Sequence, residues 1–231
     1  MLLIWTYFVL TFSALLPLVN PLGSALIFLS LVGSAPIPVY RALARRVAIN
    51  TVLFFVVVDL LGSATLRFFG ISLPIVEVSG GLVIAAIAWS LLNQASTDPS
   101  PEKVQAAAQV QAGNPVETLR QKAFYPFTFP ITAGPGCIVV MLTLSARTPQ
   151  RPIAANLLAH AGLLIAILLL SATVYFSYAY APRIAQRISP STAHGILRVI
   201  AFILLCIGVQ IAWNGLLPLL TTLLNPAYTQ T

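Results

Sequence analysis

Polar side chains are scarce enough in this sequence that each one inside an apolar run needs a reason. The densest chemistry belongs to the backbone. Residues 128–140 read "TFPITAGPGCIVV", with Pro130, Gly134, Pro135 and Gly136 crowded into an otherwise oil-soluble segment. A second stretch, "PLVNPLGSALIFLSL" at 17–31, carries a similar signature. Proline deletes an amide donor and clashes with the preceding turn, while glycine lets another backbone or a ligand approach closely. Unpaired backbone groups are costly in hydrocarbon, so irregular chain survives there only against protein or a water-filled cavity. Two such breaks therefore point to a shared polar hollow.

Asn20 is a good cap and Pro21 suits the first helical position, so a helix is expected to restart there. Gly134 and Pro135 are expected to play the same parts in the second stretch. A restarted helix offers amide donors and a partial positive charge. Two such ends meeting at mid-membrane suit a carboxylate or another anion without any Arg or Lys. The candidate substrate-binding residues are then Asn20, Pro21, Gly23 and Ser24 from the first break, and Thr132, Ala133, Gly134, Pro135 and Gly136 from the second. The hydroxyls of Ser24, Thr128 and Thr132 can also be satisfied by carbonyls of their own helix.

Gln210 and Asn214, four apart in "CIGVQIAWNGLLP", share one helix face. Facing lipid they are expensive, so they are expected inside the bundle, completing the substrate-binding set. Asp59, thirteen residues past Arg46, is expected near mid-bilayer as a candidate coupling group for a proton or sodium ion. Glu77 is expected to pair with Arg67 across a short outer turn. His160 and Asn156 share a face near the outer end of their span, where a packing or interfacial role is expected of the histidine. Gly80 and Gly81 after Ser79 are expected to let helices pack closely.

The elements that hold these residues follow from composition. Of 231 residues, 58% are hydrophobic and only 7% charged, against about 25% charged in soluble domains. The chain is thus expected to be an all-α protein of the lipid bilayer, in which a span needs roughly 20 apolar residues. Six spans are expected, at about 2–33, 46–69, 71–93, 120–146, 153–181 and 195–224. The opening "MLLIWTYFVLTFSALLPLV" has no basic leader region and is expected to stay as a helix. The net charge of +7 does not cluster as nucleic-acid binding would require. Instead nine Lys and Arg fall in the loops after the first, third and fifth spans and three in the others. This places the first set in the cytoplasm and both termini outside, on the periplasmic side of an inner membrane.

No catalytic constellation, cofactor or metal site is expected. Cys137 and Cys206 lie in apolar runs unsuited to a disulfide framework, and His, Asp and Glu do not cluster at ligand spacing. The one long polar stretch, 94–119, holds three of the five acidic residues and reads as a linker between a repeat at 1–93 and another at 120–231. Shifting 17–31 by 113 residues onto 130–144 matches Pro17 with Pro130, Gly23 with Gly136, and Leu29 with Leu142. With three spans each, the halves are expected as inverted repeats with broken first and fourth helices, an architecture of secondary transporters. A carrier of thiol–disulfide equivalents needs cysteines at matched positions, whereas Cys137 meets Ser24.

These residues resemble the MarC family of integral membrane proteins: "NPLG" in the first span, "FGISLPIVEVSGGLVIA" leading into the third, "TAGPG" in the fourth and "GVQIAWNG" in the sixth. The resemblance covers nearly the whole chain outside 94–119. It implies six spans, distant kinship with the LysE-type amino acid exporters, and transport of small neutral amino acids such as alanine or glycine, an activity attributed to some members. Asp59 lies outside these motifs. The function expected is a secondary transporter of small neutral amino acids or similar zwitterions working by alternating access. The alternative is a passive channel or non-transporting scaffold.

Overall fold

A computed structural model describes residues 1–33, 35–93, 123–149, 151–187 and 190–224. The expected linker, 94–119, falls outside them. All the elements formed are helical: α1 (Leu2–Val19), α2 (Pro21–Val32), α3 (Ile37–Phe68), α4 (Leu73–Asn93), α5 (Ala123–Thr132), α6 (Pro135–Ala146), α7 (Ile153–Ala179), α8 (Ala181–Arg187) and α9 (Pro190–Leu224). Four stretches are long and apolar enough to cross a membrane: residues 2–32, α4, α7 and residues 195–222 of α9. The bent pair α5 and α6 makes five.

Two helices start earlier than expected. α3 begins at Ile37, behind Pro36 in extended conformation and with Pro38 in its first turn, so Arg41, Arg45 and Arg46 lie on a helix and not in a loop. Long basic side chains can lie along a helix and carry their charge outward, and all three are exposed. α9 likewise begins at Pro190. Hydropathy marks where lipid contact starts, and a helix can run on past that point.

α7 is the central strut. Ala159, Gly162, Leu163, Ala166, Ile167, Leu170 and Val174 are all buried, and the helix packs against α1, α2 and α3. The buried face of α3 runs through Val47, Thr51, Phe55 and Asp59, four apart in each case. That spacing is one stripe of an α-helix.

α4 and α9 form the second unit of packing. A Cβ on Gly81 would meet the Gly208 carbonyl oxygen at 2.5 Å and the Ala212 Cα at 2.7 Å, and one on Gly208 would meet the Ala85 amide nitrogen at 2.6 Å. Backbones approach this closely only across small residues, so Gly81 has the packing role expected of it. Gly81→Leu should force α4 and α9 apart and cost about 1–3 kcal/mol, as overpacking does. Thermal unfolding in detergent reads this directly, with Leu82→Ala, an exposed position, as the near-neutral control.

Candidate functional site

The first break turns on one residue. Asn20 is left-handed, with φ 44° and ψ 67°, and its side-chain oxygen accepts from the Gly23 amide at 3.1 Å. Asparagine tolerates that backbone better than most residues. The restart with Pro21 at the first helical position is as expected. The Ser24 amide bonds the Asn20 carbonyl at 2.9 Å. α1 and α2 still run on as one 31-residue span.

The second break is sharper: α5 and α6 are bent by 73°. α5 is not one regular helix: it is kinked where Tyr125 (φ −116°, ψ 123°) and Phe129 (φ −119°, ψ 127°) are extended. Each precedes a proline, whose ring disfavours the α region for its neighbour. Threonine hydroxyls fill the opened turns, Thr128 donating to the Ala123 carbonyl at 2.9 Å and Thr132 to that of Phe127 at 2.7 Å. Gly134 then caps α6, with Pro135 at its start.

The breaks meet. The Ser24 hydroxyl lies 2.8 Å from the Val19 carbonyl of its own span and 3.2 Å from the Ile131 carbonyl of the other. A Cβ on Gly136 would touch Leu18 at 2.9 Å, and one on Gly23 would touch Leu197 at 3.0 Å, so α9 passes the first break. Asn20, Pro21, Gly23, Ser24, Thr132, Ala133 and Gly136 are buried, and Gly134 and Pro135 half-buried. The first amides of α2 and α6, those of Leu22 and Gly136 among them, lie outside their helices' own ladders. What the arrangement offers chemically is a closed pair of helix starts rich in donors.

Tyr178 completes it and was not singled out from the sequence. Fully buried, its hydroxyl sits 2.7 Å from Thr132 Oγ1 and faces Ser24 as well, bridging the two breaks from α7. Its ring stacks on Phe28 with centroids 4.5 Å apart, and Phe28 meets Phe127 and Tyr40 edge-on at 5.2 and 6.0 Å. Beyond this aromatic group, at the end carrying Arg41 and Arg183, an open cleft of about 360 Å³ is lined by Leu29, Gly33, Tyr40, Pro182 and Gln186.

Three expectations need correction. Gln210 and Asn214 are not in the interior: Gln210 is exposed and donates to Asn214 Oδ1 at 2.9 Å, so the pair satisfies itself along its own helix and stays away from the breaks. Glu77 pairs not with Arg67 but with Arg147, whose Nε donates to Oε1 at 2.8 Å. Asp59 is on the buried face of α3. It lies nine residues before the end of α3, about 13 Å along the axis, where His160 Nδ1 approaches its Oδ2 to 2.9 Å. His160 is therefore a hydrogen-bond partner of a buried carboxylate, which goes beyond the packing or interfacial role expected of it.

With this geometry in hand, the comparisons with known proteins are direct. The model of the MarC family, integral membrane proteins, matches residues 5–220. The chain belongs to the MarC family. It is 27% identical over 209 residues to the inner membrane protein MarC of Escherichia coli O1:K1 / APEC, covering 90% of this chain and 93% of that protein. The protein of the same name from strain UTI89 / UPEC is equally similar over the same shares. No solved structure matches. The family fixes this chain as a multi-pass protein of the inner membrane.

Removing Arg147 leaves the buried Glu77 carboxylate, 2% exposed, without its ion partner. Arg147→Gln should cost about 1–3 kcal/mol for that stranded acceptor, and adding Glu77→Gln should recover most of it. A double-mutant cycle on detergent-unfolding midpoints checks the coupling.

Proposed function

We propose that this MarC-family protein is a secondary transporter of small neutral amino acids or similar zwitterions, held at the two facing breaks and passed across by alternating access. The observation that carries it is the contact of Ser24 on one break with the Ile131 carbonyl on the other. The two helix starts leave first-turn amides such as those of Leu22 and Gly136 outside their own ladders, and amides at helix starts are the chemistry a carboxylate needs. Tyr178, Thr132 and Ser24 supply hydroxyls that can accept from an ammonium group. The neighbours of Gly136 are the apolar side chains of Leu18 and Ile84, which favours a substrate with a small side chain. The relatives' printed name says only inner membrane protein.

The architecture that supports rocking is a pair of inverted three-helix repeats, α1–α2 with α3 and α4 against α5–α6 with α7 and α9. α3 supplies the sixth crossing over residues 47–66, in which Asp59 is the one charged residue. Both restarted helices, α2 and α6, are 12 residues long, and the last helices of the two repeats, α4 and α9, pack on each other. Both termini then lie outside the cytoplasm. The cleft at the basic end is lined by Tyr40, which meets Phe28 of the aromatic group edge-on.

The test is counterflow of labelled alanine and glycine by purified protein in liposomes. Wild-type protein should exchange both. Tyr178→Phe should raise the KM for exchange about 2- to 10-fold, the worth of one hydrogen bond, and Gly134→Leu, where a Cβ meets only the Pro130 carbonyl oxygen at 3.4 Å, should abolish exchange without loss of folded protein. Failure of the wild type to exchange any member of an amino acid panel would sink the proposal.

A further inference from the structure

We propose that the Asp59–His160 pair is a proton-binding site that couples proton movement to the motion of α6; this rests on the carrier reading of the breaks. His160 Nδ1 lies 2.9 and 3.1 Å from the two Asp59 oxygens. The Thr148 hydroxyl donates to the Ser145 carbonyl at 2.8 Å, so it turns lone pairs toward His160 Nε2, 3.4 Å away. Asn156 Nδ2 also lies 3.4 Å from that hydroxyl oxygen, and a doubly protonated imidazolium would have an acceptor at each ring nitrogen, the carboxylate on one side and the hydroxyl on the other. Asn156, whose amide donates to the Pro149 carbonyl at 3.0 Å, holds the same loop in place.

Access is one-sided. The Asp59 side chain is 9% exposed and that of His160 29%, so a proton reaches the carboxylate by way of the imidazole. The other titratable groups at this end are committed or turned away. Glu77 of α4 and Arg147 after α6 pair with each other, and Tyr7 of α1 donates to the Arg147 carbonyl at 2.8 Å. Arg67 and Arg151 are exposed.

The linkage to the breaks is mechanical. Ser145, in the last turn of α6, donates to the Asp59 carbonyl at 2.8 Å, and Thr148 just beyond it faces His160. The C-terminal end of α6 is thus clamped to α3 and α7 through the pair, while its first residues form the second break about 18 Å away. When His160 gives its proton to water, the Asp59 carboxylate is left buried beside a neutral ring, and a buried charge without its partner is unfavourable. The clamped arrangement then loses stability and α6 is released. The proton that leaves goes to water at this end, and the next is taken up in the released conformation, with the pair open to water on the other side, so a cycle carries a proton with each substrate.

The experiment uses the full chain with Cys206→Ser, purified into liposomes, as wild type, Asp59→Asn and His160→Gln. Counterflow of labelled alanine reports exchange, and a trapped pH dye reports proton movement driven by an alanine gradient. A third readout needs no substrate: maleimide labelling of the buried Cys137 beside the second break, at about pH 5.5 and about pH 8.5, on either side of the ordinary imidazole range. Expected are alanine-driven proton flux in wild type, its loss in both variants with counterflow kept, and a several-fold change with pH in the labelling rate of wild type relative to His160→Gln. Counterflow without proton flux in wild type overturns the proposal, as does unchanged proton flux in His160→Gln. Loss of counterflow together with proton flux in both variants makes the pair merely structural and also overturns it. Should wild type exchange no amino acid, the carrier reading falls and the labelling ratio alone decides: a ratio that changes with pH supports the proton site, and a flat one removes it.

Discussion

Backbone amides and carbonyls in a bilayer have to find partners within the protein, and the shape of this chain around its two breaks follows from that requirement. Asn20 turns the chain left-handed and returns a side-chain oxygen to the Gly23 amide. Thr128 and Thr132 reach back five residues to carbonyls that the neighbouring prolines have opened. Ser24 serves the other break as well as its own. Breaks of this kind cannot face acyl chains, so each lies buried against the other, and α7 passes behind both with Tyr178.

What could be read from the sequence was what has a local backbone meaning. Asn20–Pro21 and Gly134–Pro135 restart helices because their preferences are set by their own φ, ψ and missing donors, and the structure places both restarts where those residues stand. Partners far along the chain were another matter. The stripe Val47, Thr51, Phe55, Asp59 is regular, but lipid-facing Leu53, Val57 and Leu60 on the same helix are as apolar as the core, so hydropathy does not separate the faces. His160 stands 101 residues from Asp59, and no local signal joins them. Tyr178 sits in "YFSYAYAPR", beside Tyr175 and Tyr180. Such a run is what an interfacial aromatic belt looks like, and only the path of α7 selects the one that reaches the breaks.

Gln210 and Asn214 show how a sound rule can fail. Polar groups in a span are expected to turn inward because hydrocarbon offers no partner. At four residues' spacing, however, each is the other's partner, and the 2.9 Å bond between them lowers the cost of facing outward. Burying them was one solution and pairing them along the helix was another. Meanwhile the inward face of α9 was already committed to glycine contacts with α4, where neither side chain fits.

The two restarted helices end differently, and the contrast bears on how the molecule moves. Beyond α6 lie two ion pairs, Glu77–Arg147 and Asp59–His160, joining it to α4, α3 and α7. Beyond α2 lie an aromatic stack, a tyrosine hydroxyl from Tyr40 to the Gly33 carbonyl, and an open cleft. Apolar and aromatic contacts are non-directional and loosen gradually, whereas a buried charge either has its partner or is strongly unfavourable. The end beyond α6 is therefore held by directional polar pairs, and the end beyond α2 by contacts among uncharged rings. The sequence accordingly sets Asp59, His160, Glu77 and Arg147 at the first and the Phe28–Tyr178 stack at the second.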